Sequence, residues 1–309
     1  MTRASAPGKI ILFGEHAVVY GYPALAVPVT QVSAAVEVTD LPGSAIQIEA
    51  PGVGLRATLD ELPAAHPLAA AIRGTLQALG LPSLSKGVGI HISSTIPVAS
   101  GLGSGAAVSV AIVRALSSHL GQPLGDNEVN QIVYEVEKLH HGTPSGIDNT
   151  VITYASPVFF TKGEPIETLS VGAPFTLVIG DTGVPAPTKE SVADVRRMWQ
   201  ADKPRWEQVF AAVGAISRKA RAFIRNGNIT DLGPLMDADH ALLQEMTVSS
   251  PELDRLVFAA RVAGAAGAKL SGGGRGGNMI ALVDPAHAQP VVDALKAAGA
   301  VNTIVTTII

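Results

Sequence analysis

Apolar residues alternate with polar ones in one part of the chain and recur at helical spacing in another. Val88, Ile90 and Ile92 alternate with Gly89, His91 and Ser93, the period of a strand with one buried face. The same reading predicts strands over residues 9–13, 24–39, 45–50 and 87–97. Helical spacing predicts helices over 67–79, 103–120 and 127–141. In the last of these, Val129, Ile132, Val133 and Val136 form the apolar stripe and Asp126 is placed to cap the N-terminus.

The second half changes character. A strand at 175–180 leads into the loop 184–188, where Pro185 and Pro187 exclude a helix. Amphipathic helical text follows over 190–226, broken near Pro204, then over 231–246 and 251–265. A strand, glycine-rich loop and strand occupy 268–283, and a helix at 286–298 and a strand at 301–308 complete the pattern. The shift from strand-rich to helix-rich text predicts two domains, 1–170 and 171–309.

Composition narrows the classes. Of 309 residues 47% are hydrophobic and only 16% charged, which excludes a disordered chain. A net charge of −4 gives no general attraction to nucleic acid or to an anionic membrane, so a bound anion must be held by local geometry. The absence of cysteine removes disulfides, thiolate metal sites and cysteine nucleophiles. The apolar run at 10–13 is shorter than the roughly 7–15 residues of a signal peptide, and no stretch approaches the ~20 of a membrane span. A soluble, cytoplasmic protein is expected.

Four segments carry candidate chemistry. The first runs from Pro97 through Ser100, Gly101, Leu102, Gly103, Ser104, Gly105 and Ala106 to Ala107, between a strand and an apolar helix. Glycines let consecutive N–H groups face one anion, and the helix start adds its dipole, so the segment suits nucleotide phosphates as well as a bare tight turn. It lacks the Gly-Lys-Ser/Thr of a Walker A loop. It fits the loose dinucleotide pattern, but no second strand ending in an acid follows about 20 residues on. The second is Gly272–Gly277, with five glycines in six positions, more than a hairpin needs. The third, 137–149, contains Glu137 on the flank of a helix, a His140-His141 pair and Asp148. Without a phosphate to serve, Glu137 would be a solvated boundary carboxylate and Asp148 a loop cap; the adjacent histidines diverge and read as structural. The fourth, 6–21, puts Lys9, Glu15 and His16 near one strand end, where lone charges are costly, and Asp148 is the expected partner of Lys9.

Taken together, these segments resemble the GHMP kinases, the superfamily of galactokinase, homoserine kinase, mevalonate kinase and phosphomevalonate kinase. The run Pro7–Gly21, with its Gly-Glu-His, and the run His141–Asn149 are most similar to the branch that phosphorylates mevalonate. The resemblance implies an α+β protein of two domains, the N-terminal one ribosomal-protein-S5-domain-2-like and the C-terminal one ferredoxin-like. It implies ATP as donor and Mg²⁺ as metal, with residues 97 and 100–107 on the nucleotide and Glu137 and Ser104 on the metal. Asp148 and Lys9 would be catalytic, Asp148 taking the proton of a primary hydroxyl. Glu15, His16 and Thr188 would face the acceptor, mevalonate or a related alcohol, and Gly272–Gly277 would support the phosphate loop. A homodimer is also implied. Phosphomevalonate kinase, mevalonate 3-kinase and a non-catalytic ligand sensor are the alternatives. Two features depart from the pattern. Gly105 stands where relatives carry a second serine that contributes to metal binding, so either Ser104 or a water must complete the shell. Arg275 adds a charge inside the second glycine segment, free to reach nucleotide or solvent.

Overall fold

A computed structural model describes the chain apart from residues 98–100, 142–143 and 166, and apart from the side chains of 140 and 141. In chain order its elements are β1 (Thr2–Phe13), β2 (Ala24–Leu41), β3 (Ile46–Ala50), β4 (Leu55–Thr58), α1 (Pro67–Ala78), β5 (Gly87–Ser94), α2 (Ser104–His119), α3 (Asp126–His141) and α4 (Ile147–Tyr154). There follow β6 (Val158–Phe160), β7 (Glu167–Thr168), β8 (Phe175–Asp181), α5 (Thr188–Ala201), α6 (Lys203–Asn226), α7 (Leu232–Glu245), α8 (Pro251–Val262), β9 (Gly267–Ser271), β10 (Asn278–Val283), α9 (Ala288–Ala297) and β11 (Asn302–Ile308). Two compact units form. One comprises Met1–Gly8, Val32–Val98 and Gly103–Ala155; the other comprises Lys9–Gln31, Ala99–Leu102 and Ser156–Ile309.

In the first unit the strands run β4-β3-β5-β2, with β3 parallel to β5 and the other pairs antiparallel. The period-2 text of β5 is realised: Val88, Ile90 and Ile92 are buried while His91 and Ser93 are exposed. Helices α1 to α4 pack on one another, and α2 also packs on β5. Helix α2 is buried on nearly all sides because its sequence offers only small and aliphatic residues from Ala106 to Leu116, apart from Ser109 and Arg114. Each fully buried Val, Leu or Ile stabilises the fold by roughly 1.5–3 kcal/mol.

The second unit is built on the antiparallel sheet β11-β8-β10-β9. Helices α7 and α8 pack on β9 and α9 on β8. All six residues of β10 and all five of β9 are buried, so these strands read as apolar runs, with Lys269 the one charged residue among them. The break near Pro204 is the junction of α5 and α6, where Asp202 accepts from the Arg205 N–H at 3.3 Å and caps the second helix.

The structure differs from the sequence reading in several places, among them the short strands β4, β6 and β7, which the apolar pattern did not predict. Strand β1 begins at Thr2 and pairs with β2; its burial alternates, with Thr2, Ala4, Ala6 and Gly8 more buried than Arg3, Ser5 and Pro7, but these inward residues are too small to stand out as an apolar pattern. Asp126 is the first residue of α3 rather than its cap. Asp148, read as a loop cap, lies in the first turn of helix α4.

Candidate functional site

In the first unit the phosphate-loop text leads into α2. Gly103 is its N-cap, at φ 75°, a conformation costly for a residue with a Cβ. Among the described residues no side chain caps this end, so first-turn N–H groups are left for a ligand. Ala106 and Ala107 are buried beneath it, and Ser104 and Gly105 are more open. A Cβ built on Gly105 would stand 4.0 Å from Glu137 Oε1. Glu137 is only 6% exposed, which corrects the picture of a solvated boundary carboxylate. A buried carboxylate beside an uncapped helix start suits a hard cation shared with phosphate oxygens. Among the described residues no group of three His, Asp or Glu is placed to hold a metal ion. Mg²⁺ fits such a site, because it keeps several waters and takes one or two carboxylates. Asp148, partly buried, follows Gly146, which starts α4 at φ 90°; the neighbouring Asn149 Nδ2 donates to Asn130 Oδ1 at 2.6 Å and fixes α4 on α3.

The second unit holds Lys9, Glu15, His16, Thr188 and both remaining loops. Lys9, nearly fully buried on β1, donates its backbone N–H to Leu102 O at 3.0 Å. Ser271 Oγ, at the end of β9, donates to Ile11 O at 2.7 Å. A Cβ on Gly101, itself at φ 77°, would lie 3.8 Å from Asn278 Nδ2. The structure thus gathers Lys9, Gly101, Leu102 and the ends of β9 and β10. Pro97 is partly buried; Ser100 and the side chains of His140 and His141 lie outside the described residues.

Glu15 does not remain a lone charge. It forms an ion pair with Lys269 Nζ, which also stands 3.3 Å from Asp239 Oδ2 and 5.8 Å from the centre of the Phe13 ring. Lys269 and Asp239 are wholly buried and Glu15 nearly so. Two ionised carboxylates against one ammonium would leave a net charge in a dry interior. Burial pushes the Asp239 carboxyl up to about 7; Lys269 opposes the shift and Glu15 adds to it. Below that pH Asp239 is uncharged. His16 Nε2 pairs with Gly273 O at 3.1 Å, and burial lowers the imidazole to about 4, so at neutral pH the ring is uncharged and Nε2 carries the donated hydrogen. Glu15 Oε2 and His16 Nδ1 are buried with no hydrogen-bond partner among the described residues, a costly state that a polar ligand or water would relieve.

Gly272–Gly277 form a turn that other backbone approaches closely. A Cβ on Gly273 would come within 2.6 Å of Thr188 Oγ1, one on Gly274 within 1.9 Å of Val248 O, and one on Gly276 within 2.5 Å of Val184 O. The glycines therefore admit the 184–188 loop and the α7–α8 turn. Arg275, about a quarter exposed, turns its guanidinium onto neighbouring elements of the protein. Its Nη1 lies 2.5 Å from Asp194 Oδ2 on α5, and its Nε donates to Thr247 O at 3.1 Å.

Sequence reasoning missed Lys269, Asp239 and the Arg275–Asp194 pair. A lysine inside an otherwise apolar strand, Ala268 to Leu270, was the available signal for the first. Nothing in the spacing of Asp239 or Asp194 marked their distant partners.

Two family models match. GHMP kinases N terminal domain covers residues 67–156, and GHMP kinases C terminal covers 220–301. A mevalonate kinase of Pyrococcus horikoshii is 38% identical over 97% of this chain and 94% of its own length. One of Saccharolobus solfataricus is 33% identical over 91% and 90%. The crystal structure of L. major mevalonate kinase in complex with R-mevalonate superposes with a TM-score of 0.86 at 30% identity, covering 100% of this chain and 96% of that one. A Streptococcus pneumoniae phosphomevalonate kinase superposes at 0.83 with 17% identity and shares the fold alone. With family models matched over residues 67–156 and 220–301 and relatives spanning nearly all of the chain, this protein belongs to the GHMP kinases, and within them to the mevalonate kinase family.

Proposed function

We propose that the protein transfers the γ-phosphoryl group of ATP to the 5-hydroxyl of mevalonate, giving 5-phosphomevalonate and ADP. The observation that carries this reading is the near full-length match to mevalonate kinases. The uncapped start of α2 and the unpartnered polar atoms of Glu15 and His16 support it.

Phosphoryl transfer depends on positioning and charge neutralisation more than on covalent help. The N–H groups of residues 104–106 would hold phosphate oxygens, with Gly101, Leu102 and Gly103 shaping the approach and Ala107 closing the first turn beneath them. Glu137 would hold Mg²⁺, and Ser104 or a water would complete its coordination in place of the hydroxyl that Gly105 lacks. When bound, that ion supplies charge neutralisation on the phosphates. Lys9 would stabilise charge developing on the transferred group. Asp148 would accept the hydroxyl proton as the new bond forms, since a carboxylate is too weak a base to ionise an alcohol beforehand. Glu15, His16 and Thr188 would orient the acceptor. Homodimerisation is part of the proposal and is read by sedimentation.

Release of ADP measured with mevalonate, phosphomevalonate, homoserine and galactose in turn tests the assignment. Turnover confined to mevalonate is expected. A preference for phosphomevalonate would replace the acceptor, and silence on all four alongside an ATP-induced rise in Tm would favour a ligand sensor.

A further inference from the structure

Arg275 is an unexpected residue where it stands. It adopts φ 59°, flanked by Gly274 at 73° and Gly276 at 147°. Glycine enters that region without strain and a residue with a Cβ does not. Strained positions persist where surrounding contacts over-determine them. Here those contacts are specific. The Arg275 N–H donates to Val248 O at 2.7 Å, its Nε to Thr247 O at 3.1 Å, and its Nη1 pairs with Asp194 at 2.5 Å. Thr247 is itself at φ 58°, so the guanidinium joins two strained residues to one helix.

That helix, α5, begins at Thr188, whose side chain packs against the backbone of Gly273. Gly273 O also takes His16 Nε2. Two residues assigned to the acceptor are thus registered on one glycine, and Arg275, two residues further on, ties the same loop to Asp194, six residues into α5 from Thr188. Only about a quarter of the surface of Arg275 and of Asp194 is exposed, so the fork is partly shielded from solvent. Arg197 also pairs with Asp194 but is 72% exposed and lies on α5 itself, so it cannot tie the helix to the loop.

We propose that Arg275 is a positioning residue for acceptor binding: by clasping Asp194 and the Thr247 carbonyl it fixes α5 on the glycine turn and so sets the spacing of Thr188 and His16. The inference rests on the mevalonate reading above. Lysine cannot reproduce it, because a single ammonium cannot span both partners in the geometry of a planar fork.

The test compares wild type, Arg275→Gly, Arg275→Lys, Asp194→Asn and the Arg275→Gly/Asp194→Asn double variant in steady-state kinetics and thermal unfolding. Arg275→Gly is chosen because glycine removes the backbone strain together with the fork. The expected result is a KM for mevalonate raised about tenfold in each single variant, with KM for ATP within about twofold of wild type. The Tm of Arg275→Gly should stay within a few degrees of wild type, and the double variant should be no worse than either single. A KM for mevalonate that is unchanged in Arg275→Gly, or that tracks Tm across the set, would overturn the proposal, as would additive effects in the double variant. A wild-type protein active on mevalonate with unaffected variants rejects the clasp alone; a wild type inactive on mevalonate rejects the function and the clasp together.

Discussion

At the scale of single residues, burial decides what charges can do. Lys269 is enclosed with Glu15 and Asp239, and removing its ammonium leaves the Glu15 carboxylate buried and unpaired. Lys269→Met should cost about 3–5 kcal/mol of stability at neutral pH. Urea unfolding checks this, and a loss under 1 kcal/mol would show that the cluster is not held by its ion pair. Gly105 gives the opposite case, a side chain that is missing. Its Cβ position faces Glu137 at 4.0 Å, within a helix start that accepts serine. Gly105→Ser should lower the Mg²⁺ concentration for half-maximal activity severalfold; a titration curve superimposed on wild type would count against Glu137 as the metal carboxylate. The motif residues of this region were legible in the sequence because glycine, lysine and acid spacings are local. Lys269 and Asp239 were not, because a buried ion pair is defined by partners far apart in the chain.

At the scale of elements, helices and strands with a clear apolar period were readable, and those governed by tertiary context were not. Helix α3 announces itself through Val129, Val133 and Val136, all buried in the structure. Helix α4 does not: Ile147, Thr150, Val151, Ile152 and Thr153 are β-branched, a composition that reads as strand or loop. Packing against α2 and α3 overrides that preference and places Asp148 in a helical first turn rather than a loop. The glycine turn after β9 was legible as a place of close approach, though not what approaches it. Gly274, at φ 73° with the Val248 carbonyl against its Cβ position, leaves no room for a methyl group. Gly274→Ala should destabilise the second unit by on the order of 3 kcal/mol. Calorimetry reads the loss; an unchanged Tm would mean the turn relaxes freely.

At the scale of the whole molecule, three buried groups give stability a shape in pH. His16 and His240 are both lowered by burial from 6.5 to about 4, so the folded state binds fewer protons than the unfolded chain between those values. Their contribution is complete above about pH 6.5 and is lost as pH falls toward 4. Asp239 works the other way. It stays protonated when folded up to about 7, whereas the unfolded group ionises from 3.8, so its burial costs more as pH rises through that interval. Between about pH 4 and 6.5 the two histidines outweigh the one carboxyl, so these groups make stability rise over that interval and level off near pH 7. Asp239→Asn removes the opposing carboxyl and should steepen the rise between pH 4 and 6.5. A urea midpoint with the same pH dependence in wild type and Asp239→Asn would contradict the protonation of Asp239. The most direct test of the central claim is the single-turnover transfer of labelled γ-phosphoryl from ATP to mevalonate by wild type and Asp148→Asn, with nucleotide affinity measured in parallel. Wild type should yield 5-phosphomevalonate, and the variant should slow by about 10²–10⁴-fold with ATP affinity unchanged. A variant that transfers at near the wild-type rate would contradict it.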